Sequence, residues 1–292
     1  MSTEKLELFE AERGRMFGLA YRLLGEASEA EDVVQDAYLR WENSVDVVVP
    51  AAWLTKVVTN LCLTRLTSAR ARRELYVGPW LPEPVFTANG EIGPLETVEQ
   101  RDSLSLGILV LLERLTPPER AAFVLREAFG YSHREIGEIL ELDEAHVRQL
   151  YRRARKHVDE HHKRFTANPA QQHEIVERFL AATLSGDVAG LQRLLAEDVV
   201  SWADSGGKAA ASRRPLFGRS EVLRLFRGLG RHPRTAGARF TVRAVNGQPG
   251  IAIYEADTLT YIIVPDLLDG QVVAVRTFAN PEKLAFAAAQ EL

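Results

Sequence analysis

The stretch SHREIGEILELDEAHVRQLYRRARKHV, residues 132–158, decides how the middle of this 292-residue chain folds. Ser132 is followed three residues later by Glu135, a capping box that predicts the start of a short helix. The turn Glu141–Asp143 separates this helix from a second one, and Asp143 is placed to cap the second helix. A short helix, a tight turn and a longer second helix form a helix-turn-helix.

The second helix of this motif has two unlike faces when it is drawn at about 100° per residue. Its apolar stripe, which predicts a core-facing side, consists of Val147, Leu150, Tyr151, Ala154 and Val158. The opposite face carries guanidinium and amide groups, which can form paired hydrogen bonds with guanine and adenine. A merely solvated basic helix is the alternative, but the preceding helix and turn favour binding in the major groove of DNA. The residues expected at the DNA are Ala145, His146, Arg148, Gln149, Arg152, Arg153 and Lys156.

Charge is distributed unevenly along the chain, although the formal net charge is only -4. Residues 1–48 carry 11 acids against 5 bases, and residues 144–164 carry 7 bases against 3 acids. This separation predicts different partners for different regions. The N-terminus is charged and the sequence has no long apolar run, so we expect a cytoplasmic protein with no membrane span.

The chain has a single cysteine, Cys62, which lies in an apolar helical context. One cysteine cannot form an intrachain disulfide or a cysteine-based zinc site. We therefore expect Cys62 to be an inert buried thiol. We also expect no metal ion and no cofactor.

Turn-rich segments predict four parts in this chain. Residues 1–75 have helical patterns, and residues 76–97 form a linker that is too rich in proline and glycine for a core element. Trp80 and Leu81 are unusually apolar for a linker and indicate that it docks onto another surface. Helical periodicity returns over residues 98–165. Residues 166–292 give two amphipathic helices followed by strands. The predicted fold is therefore multidomain, with two all-α domains, the second containing the helix-turn-helix, followed by an α+β domain.

Three stretches of the chain resemble two regions of one protein family. LTPPERAAFVLREAFGYSHREIGEILELDEAHVRQLYRRARKHV, residues 115–158, resembles region 4 of bacterial sigma factors of the extracytoplasmic-function group. YRLLGEASEAEDVVQDAYLRWENS, residues 21–44, and PAAWLTKVVTNLCLTRLTSARARRE, residues 50–74, resemble region 2 of the same proteins. The resemblance implies a sigma factor that binds core RNA polymerase and promoter DNA and directs promoter-specific transcription initiation.

The resemblance also implies that the helix around residues 32–41 docks on the clamp coiled coil of the polymerase β′ subunit. Positions 32, 35, 36 and 39 share one face of a helix, and three of them are polar. A solvated stripe of no special function is the alternative. The residues implied at the polymerase are Asp32, Gln35, Asp36 and Arg40.

By the same resemblance, the segment of residues 50–73 recognises and melts the −10 element of the promoter. Single strands bind by base stacking and by cationic contacts along the backbone. Thr64 stands where many relatives carry an aspartate. The basic helix would read the −35 element, and Arg155 on its flank would meet phosphate groups. The residues implied at the −10 element are Trp53, Lys56, Asn60, Arg65, Arg70, Arg72 and Arg73.

The C-terminal third and the linker resemble the SigJ-like subtype of these sigma factors, in which a SnoaL-like domain is fused. YVGPWLPEPV, DSGGK and ANPEKL carry this resemblance, with Ser205 and Glu282 as departures from its motifs. It implies a cone-shaped α+β domain of SnoaL/NTF2-like type. We hypothesise that this domain regulates the sigma domains by intramolecular contact, so that no separate anti-sigma factor is required. The residues expected to make this contact are Trp80, Leu81, Asp204, Gly206, Gly207, Lys208, Asn280, Pro281, Glu282, Lys283 and Leu284.

Two other functions compete with this interpretation. One is a one-component, ligand-responsive transcription regulator, for which the polar face of residues 32–40 has no use. The other is a SnoaL-type enzyme that carries a DNA-binding module. We expect no enzyme, because the titratable or aromatic candidates show no spaced acid–base pair, and Asp204 is interpreted as part of a turn or contact loop and not as a buried base. These candidates are Trp202, Asp204, His232, Asp257 and Tyr261.

Overall fold

The computed structural model describes residues 3–45, 47–87, 103–161, 169–230 and 232–291, without the side chains of residues 3, 4, 68–72, 74, 161 and 234. Its internal contacts divide it into two units. The first unit comprises Met1–Glu74 and Asn89–His162. The second unit comprises Leu75–Ala88 and Lys163–Leu292, so the described part of the predicted linker belongs with the C-terminal third.

The first unit is helical throughout its described residues. Helices α1 and α2 pack closely, and α3 packs against both. Two of the later helices, α5 and α6, also contact α3, so the two predicted sigma domains touch within this unit. The helices are α1 (Thr3–Leu24), α2 (Ala27–Glu42), α3 (Pro50–Glu74), α4 (Leu106–Leu112), α5 (Pro117–Glu127), α6 (His133–Leu140) and α7 (Glu144–His161).

The predicted helix-turn-helix is confirmed as helices α6 and α7. Ser132 accepts a hydrogen bond from the backbone of Glu135 at 3.2 Å, and the Glu135 carboxylate accepts one from the backbone of Ser132 at 2.7 Å. Glu141 ends α6 in the left-handed conformation, with φ of 57°. The Asp143 carboxylate accepts a hydrogen bond from the backbone N–H of His146 at 2.8 Å and so caps α7.

The second unit is an α+β domain built on one six-stranded sheet. The strand order is β2-β1-β6-β5-β4-β3, in which β1 and β6 run parallel and the other neighbours run antiparallel. The strands are β1 (Leu195–Asp204), β2 (Leu216–Phe217), β3 (Arg239–Val245), β4 (Gln248–Glu255), β5 (Thr258–Leu268) and β6 (Gln271–Phe278). The helices are α8 (Pro169–Ser185), α9 (Val188–Leu194), α10 (Arg219–Gly230) and α11 (Pro281–Ala289), with a 3-10 turn at Pro233–Gly237.

The strand pairing of this sheet contains irregularities in register. The register shifts between Ile253 and Tyr254 in β4 and between Asp266 and Leu267 in β5, and such bulges increase local twist and bend. Helices α8 and α10 pack on one face of the sheet and meet each other there. The predicted α+β class of the C-terminal domain is confirmed.

The described part of the linker, residues 75–87, corrects one expectation. Leu81, Val85 and Phe86 are buried, and Phe86 forms a bridge with Val245 at the end of β3. The backbone carbonyl of Val85 also accepts a hydrogen bond from Asn246 at 2.9 Å. The expectation that this segment is too turn-rich to contribute to a core is therefore wrong for these residues. Residues 88–97 of the predicted linker lie outside the described residues.

None of the helices in the described ranges is long and apolar enough to cross a membrane. Among the described residues, no group of three or more histidine, cysteine, aspartate or glutamate side chains is placed to hold a metal ion.

Candidate functional site

Helix α7 presents its predicted DNA-binding face to solvent. Its apolar stripe is turned inward, with Val147 and Ala154 completely buried. Arg155, which was expected to meet phosphate, instead bonds to Glu127 and Asp159, each at 2.9 Å. All seven residues predicted for the −35 element are exposed, namely Ala145, His146, Arg148, Gln149, Arg152, Arg153 and Lys156.

The outer face of α2 carries the predicted polymerase-binding residues, with Gln35 and Arg40 exposed. Asp36 is half-buried, because the Arg65 guanidinium from α3 bonds to its carboxylate at 2.7 Å. The same guanidinium lies 3.7 Å from the carboxylate of Asp32. Arg65 was expected at the −10 element, but the structure places it beneath the acidic face of α2.

The other predicted −10 residues are spread along α3. The half-buried ring of Trp53 packs at 5.7 Å from that of Trp41, and Asn60 is exposed. Lys56 Nζ lies 2.9 Å from a carboxylate oxygen of Glu141, in the turn of the helix-turn-helix. The side chains of Arg70 and Arg72 lie outside the described residues.

Arg73, the last of the predicted −10 residues, is enclosed in the first unit. Its guanidinium bonds to Glu113 before α5, to Glu26 at 3.1 Å and to the carbonyl of Leu24 at 2.6 Å. Its side chain is only 13% exposed. Arg73 therefore ties the two helical domains together in this structure and does not face open solvent.

A second contact between these helical domains is built on buried arginines. Arg22 donates to the hydroxyl of Ser103 at 2.9 Å, and Arg120 donates to the carbonyl of Arg22. Burial lowers the pKa of both guanidinium groups from their usual value. Glu113 pairs with Arg120 and offsets the cost of burying that charge.

The linker is held in the second unit by a group of side chains that we name the linker clasp: Asp204, Asn280 and Lys283. Asp204 ends β1 and is completely buried. Its carboxylate accepts hydrogen bonds from the backbone of Leu81 at 2.8 Å, from the ammonium of Lys283 at 2.7 Å and from the hydroxyl of Tyr76. The expectation of a turn or contact loop at Asp204 is wrong, because the residue is buried at the end of a strand, but it does contact the linker.

Lys283 completes the linker clasp from the first turn of α11. Its ammonium donates to the carbonyl of Leu81 and lies 4.2 Å from the centroid of the Trp80 ring. Asn280, which caps α11, donates to the Tyr76 hydroxyl at 2.9 Å. Burial, and then the hydrogen bond with Asp204, raises the pKa of Tyr76, so this hydroxyl remains a donor.

The two glycines of the D-S-G-G-K motif allow the close approach of the linker. Gly206 has φ of +55°, and a Cβ there would lie 2.7 Å from Asn280 Nδ2 and 3.0 Å from the Tyr76 hydroxyl. Gly207 has φ of +76°, and a Cβ there would lie 3.3 Å from the side chain of Val77. Any side chain at either position would be strained by its backbone conformation.

The remaining residues of the DSGGK and NPEKL motifs lie next to the linker clasp in the sequence. Lys208 was expected to touch the helical domains or their linker, but the structure pairs it with Glu282 on the surface of the second unit. Pro281 occupies the first turn of α11. Proline has no backbone N–H, and the helix requires no hydrogen bond from an N–H at this position. Leu284 is buried.

The candidates considered for catalysis are not brought into one site. Asp204 is used in the linker clasp, and the ring of Trp202 lies against Arg276. Asp257 stands in the turn between β4 and β5. His232 and Tyr261 line a cavity between the sheet and helices α8 and α10.

Sequence reasoning missed several residues that hold the linker. Gln290 in the C-terminal segment bonds through its amide to both the N–H and the carbonyl of Phe86, at 2.8 and 3.0 Å. Asn246 accepts from the N–H of Val85 at 3.1 Å. The apolar character of the linker signalled that it packs against something, but no local pattern identifies its partners.

Profiles of two known domains match the first unit. The Sigma-70 region 2 profile matches residues 8–72, and the Sigma-70, region 4 profile matches residues 105–158. Over 289 residues the chain is 40% identical to the ECF RNA polymerase sigma factor SigJ of Mycobacterium tuberculosis, which covers 94% of this chain and 91% of that protein. The chain belongs to the ECF RNA polymerase sigma factors. This sigma factor therefore directs promoter-specific transcription initiation, as its sequence predicted.

Other members resemble this sigma factor over nearly its full length. It is 28% identical over 280 residues to the probable ECF RNA polymerase sigma factor SigI of Mycobacterium tuberculosis, which covers 94% of this chain and 93% of that protein. The crystal structure of the Mycobacterium tuberculosis extracytoplasmic function sigma factor SigJ superposes with a TM-score of 0.78 at 36% identity, over 97% of this chain and 99% of that chain. The likeness extends through the C-terminal domain as well as the two helical ones.

Proposed function

We propose that this sigma factor has three binding surfaces, one for core RNA polymerase and two for promoter DNA, and that the linker clasp sets their relative positions. Helix α2 docks on the β′ clamp of core RNA polymerase, α3 contacts the −10 element and α7 reads the −35 element. The C-terminal domain holds the linker between them. The observation that best supports this proposal is the buried Asp204–Lys283 pair, because both charges bond to the linker backbone at Leu81.

The −35 surface of α7 is supported by its geometry and charge. Arg148, Gln149, Arg152 and Arg153 stand on the exposed face of a helix whose opposite side is fixed in the core. Arginine and glutamine donate paired hydrogen bonds to guanine and adenine in the major groove. The remaining members of the surface, Ala145, His146 and Lys156, would contact neighbouring bases or phosphates.

In the proposed −10 surface of α3, some residues are accessible and others contact the second helical domain. Trp53, Lys56 and Asn60 lie within two turns of one helix and offer an aromatic face, a cation and an amide. Lys56 and Arg73 contact the second helical domain in this structure, so that domain must move away before either meets DNA. Arg70 and Arg72 remain proposed from the sequence.

The polymerase surface comprises Asp32, Gln35, Asp36 and Arg40 on α2. We propose that Arg65 is a positioning residue here, because its guanidinium is shared by Asp36 and Asp32. It would hold both carboxylates in place for a basic partner and would not itself contact DNA. This reassigns Arg65 from the −10 surface to the polymerase surface.

We propose that the C-terminal domain regulates the helical domains because it is joined to them in one chain. A domain joined to its target by a short chain meets it at high effective concentration, so a small contact suffices. Residues 76–86 are held along a fixed path, and the linker connects the two DNA-binding domains. We propose that the linker clasp limits how far those domains separate, which leaves no requirement for a separate anti-sigma factor. The protein would act in the cytoplasm and would catalyse no reaction of its own.

The polymerase surface can be tested by binding of the full chain to core polymerase, measured by fluorescence anisotropy of labelled sigma factor. Asp32→Ala should weaken binding about tenfold, because it removes an exposed charge from the docking face. Glu10→Ala, an exposed acid on α1, is the matched control and should bind like the wild type. Equal affinity of the wild type and the Asp32 variant would contradict the placement of this surface.

A further inference from the structure

A cavity of about 310 Å³ opens between one face of the sheet and helices α8 and α10. Its walls are mostly apolar, with Phe179 and Phe226 contributed by the helices and Ile251 and Ile263 by the sheet. Ala203 lines the cavity and is half-buried although it sits in the middle of the sheet. Pockets of this size and character are typical of small-molecule sites.

On the sheet side of the cavity, three hydroxyl groups interrupt the apolar wall in a diagonal row. Thr277 of β6 pairs across the sheet with Ile263 of β5 and Ala203 of β1. Tyr261 and Ser201 each lie two residues from those partners, on the same side of their strands as the cavity. Within the described part of the chain, none of these three hydroxyls has a protein hydrogen-bond partner.

A hydroxyl that faces an apolar space without a partner is costly unless another molecule bonds to it. Ser201 is only 3% exposed, so bulk solvent barely reaches it. Glu255 adds negative charge at one end of the cavity, which His232 also lines. The Glu255 carboxylate would repel an anionic head group placed beside it. We propose that this cavity binds a neutral, mostly apolar small molecule whose hydroxyl or carbonyl group bonds to the row formed by Ser201, Thr277 and Tyr261.

The cavity also adjoins the linker clasp. Ala210 and Ser212 line it, and they belong to the loop that begins at the Ser205–Lys208 turn, immediately after Asp204. A second space of about 400 Å³ lies between this loop and the start of α11, and it shares Tyr261 with the cavity. The loop thus lies between the cavity and the linker clasp. Resting on the proposed function of the linker clasp, we infer that an occupant orders the loop and thereby steadies the linker.

Binding is tested first, on the full chain and without polymerase. The neutral fluorescent probe N-phenyl-1-naphthylamine should bind saturably with one site per chain, and 1-decanol should displace it better than decanoate. Ala203→Leu, which fills the cavity, should reduce probe affinity at least tenfold. Ala189→Leu, the same change at an exposed position on α9, should leave it unchanged. Absence of saturable binding, or equal affinity in both variants, would overturn the site, and stronger displacement by decanoate would overturn the neutral class.

The polar row is tested by Thr277→Val, which keeps the shape of the side chain and removes its hydroxyl. The affinity for decanol should fall about fivefold, the effect of one hydrogen bond. Thr241→Val is the control, because Thr241 lies on the other side of β3 from Phe240, which lines the cavity. An unchanged affinity in the Thr277 variant would remove this row from the site.

Coupling between the cavity and the linker is measured by amide hydrogen exchange, which does not depend on transcription. Saturating decanol should slow exchange of the Leu81 N–H, which donates to Asp204, at least threefold. The same ligand should leave the N–H of Val147 in the first unit unchanged. Probe binding without slower exchange at Leu81 would keep the cavity and refute its coupling to the linker clasp.

Discussion

Asp204 Oδ2 and Lys283 Nζ lie 2.7 Å apart, and both groups also bond to the backbone of Leu81. Both side chains are buried, at 0% and 7% exposed. Buried charges are tolerated only when they are paired and their remaining hydrogen-bonding capacity is satisfied. Since Leu81 supplies a donor to one charge and an acceptor to the other, linker position and the stability of the C-terminal domain depend on each other.

Replacing Lys283 by methionine should destabilise the chain strongly. The change leaves the Asp204 carboxylate buried without its cation, which costs about 3 kcal/mol or more. Urea unfolding of the full chain, followed by circular dichroism, measures the effect. Lys208→Met is the matched control, because Lys208 pairs with Glu282 at the surface, and such pairs contribute less than about 1 kcal/mol. Similar losses in the two variants would mean that the buried pair does not hold the linker.

Gly206→Ala should loosen the linker clasp beyond the effect of backbone strain alone. Gly206 and Gly270 both have positive φ, of 55° and 78°, so alanine costs about 1 kcal/mol or more at each. Only at Gly206 would the new methyl group also meet Asn280 and Tyr76. Thermal unfolding should therefore show a lower Tm for Gly206→Ala than for Gly270→Ala, by about 3 °C or more. An equal Tm for the two variants would contradict the close approach of the linker.

Arg152→Ala should weaken binding to a −35 duplex selected in vitro. A paired hydrogen bond from arginine to guanine contributes about 1–3 kcal/mol of discrimination, so the affinity should fall about 10- to 100-fold. Arg178→Ala removes an equally accessible arginine from α8 and should have no effect. Electrophoretic mobility shift at fixed salt measures both. Retention of full affinity in the Arg152 variant would take this side chain out of the DNA contact.

The reactivity of the Cys62 thiol measures how tightly the first unit is packed around it. The thiol is completely buried, and burial raises its pKa well above the usual value, so little reactive thiolate forms. In native buffer at pH 8, Ellman's reagent should react with it orders of magnitude more slowly than in concentrated urea. Rapid modification without urea would show that the packing around α3 opens readily.

The helix-turn-helix could be predicted because its signals are local. Ser132, Glu135 and Asp143 act within one turn of their own helices, and the apolar stripe of α7 depends only on helical spacing. Each of these features depends on residues that lie within about ten positions of one another in the sequence.

The linker clasp could not be predicted from the sequence in the same way. Tyr76 and Asp204 are 128 residues apart, and Leu81 and Lys283 are 202 residues apart. Asp204 precedes two glycines, which locally indicates an exposed loop, and only the folded sheet shows that it ends a buried strand. The contacts of Arg65 and Arg73 could not be read from the sequence for a similar reason, since their carboxylate partners are distant along the chain.

Run-off transcription with core RNA polymerase and the purified full chain tests the central claim most directly. On a template selected by the holoenzyme, the wild type should give transcripts from one start site that core polymerase alone does not give. At equal polymerase occupancy, Lys283→Met should change their yield at least threefold, while Lys208→Met should match the wild type. Failure of the chain to direct initiation on any template, or equal yields from all three proteins, would contradict this account.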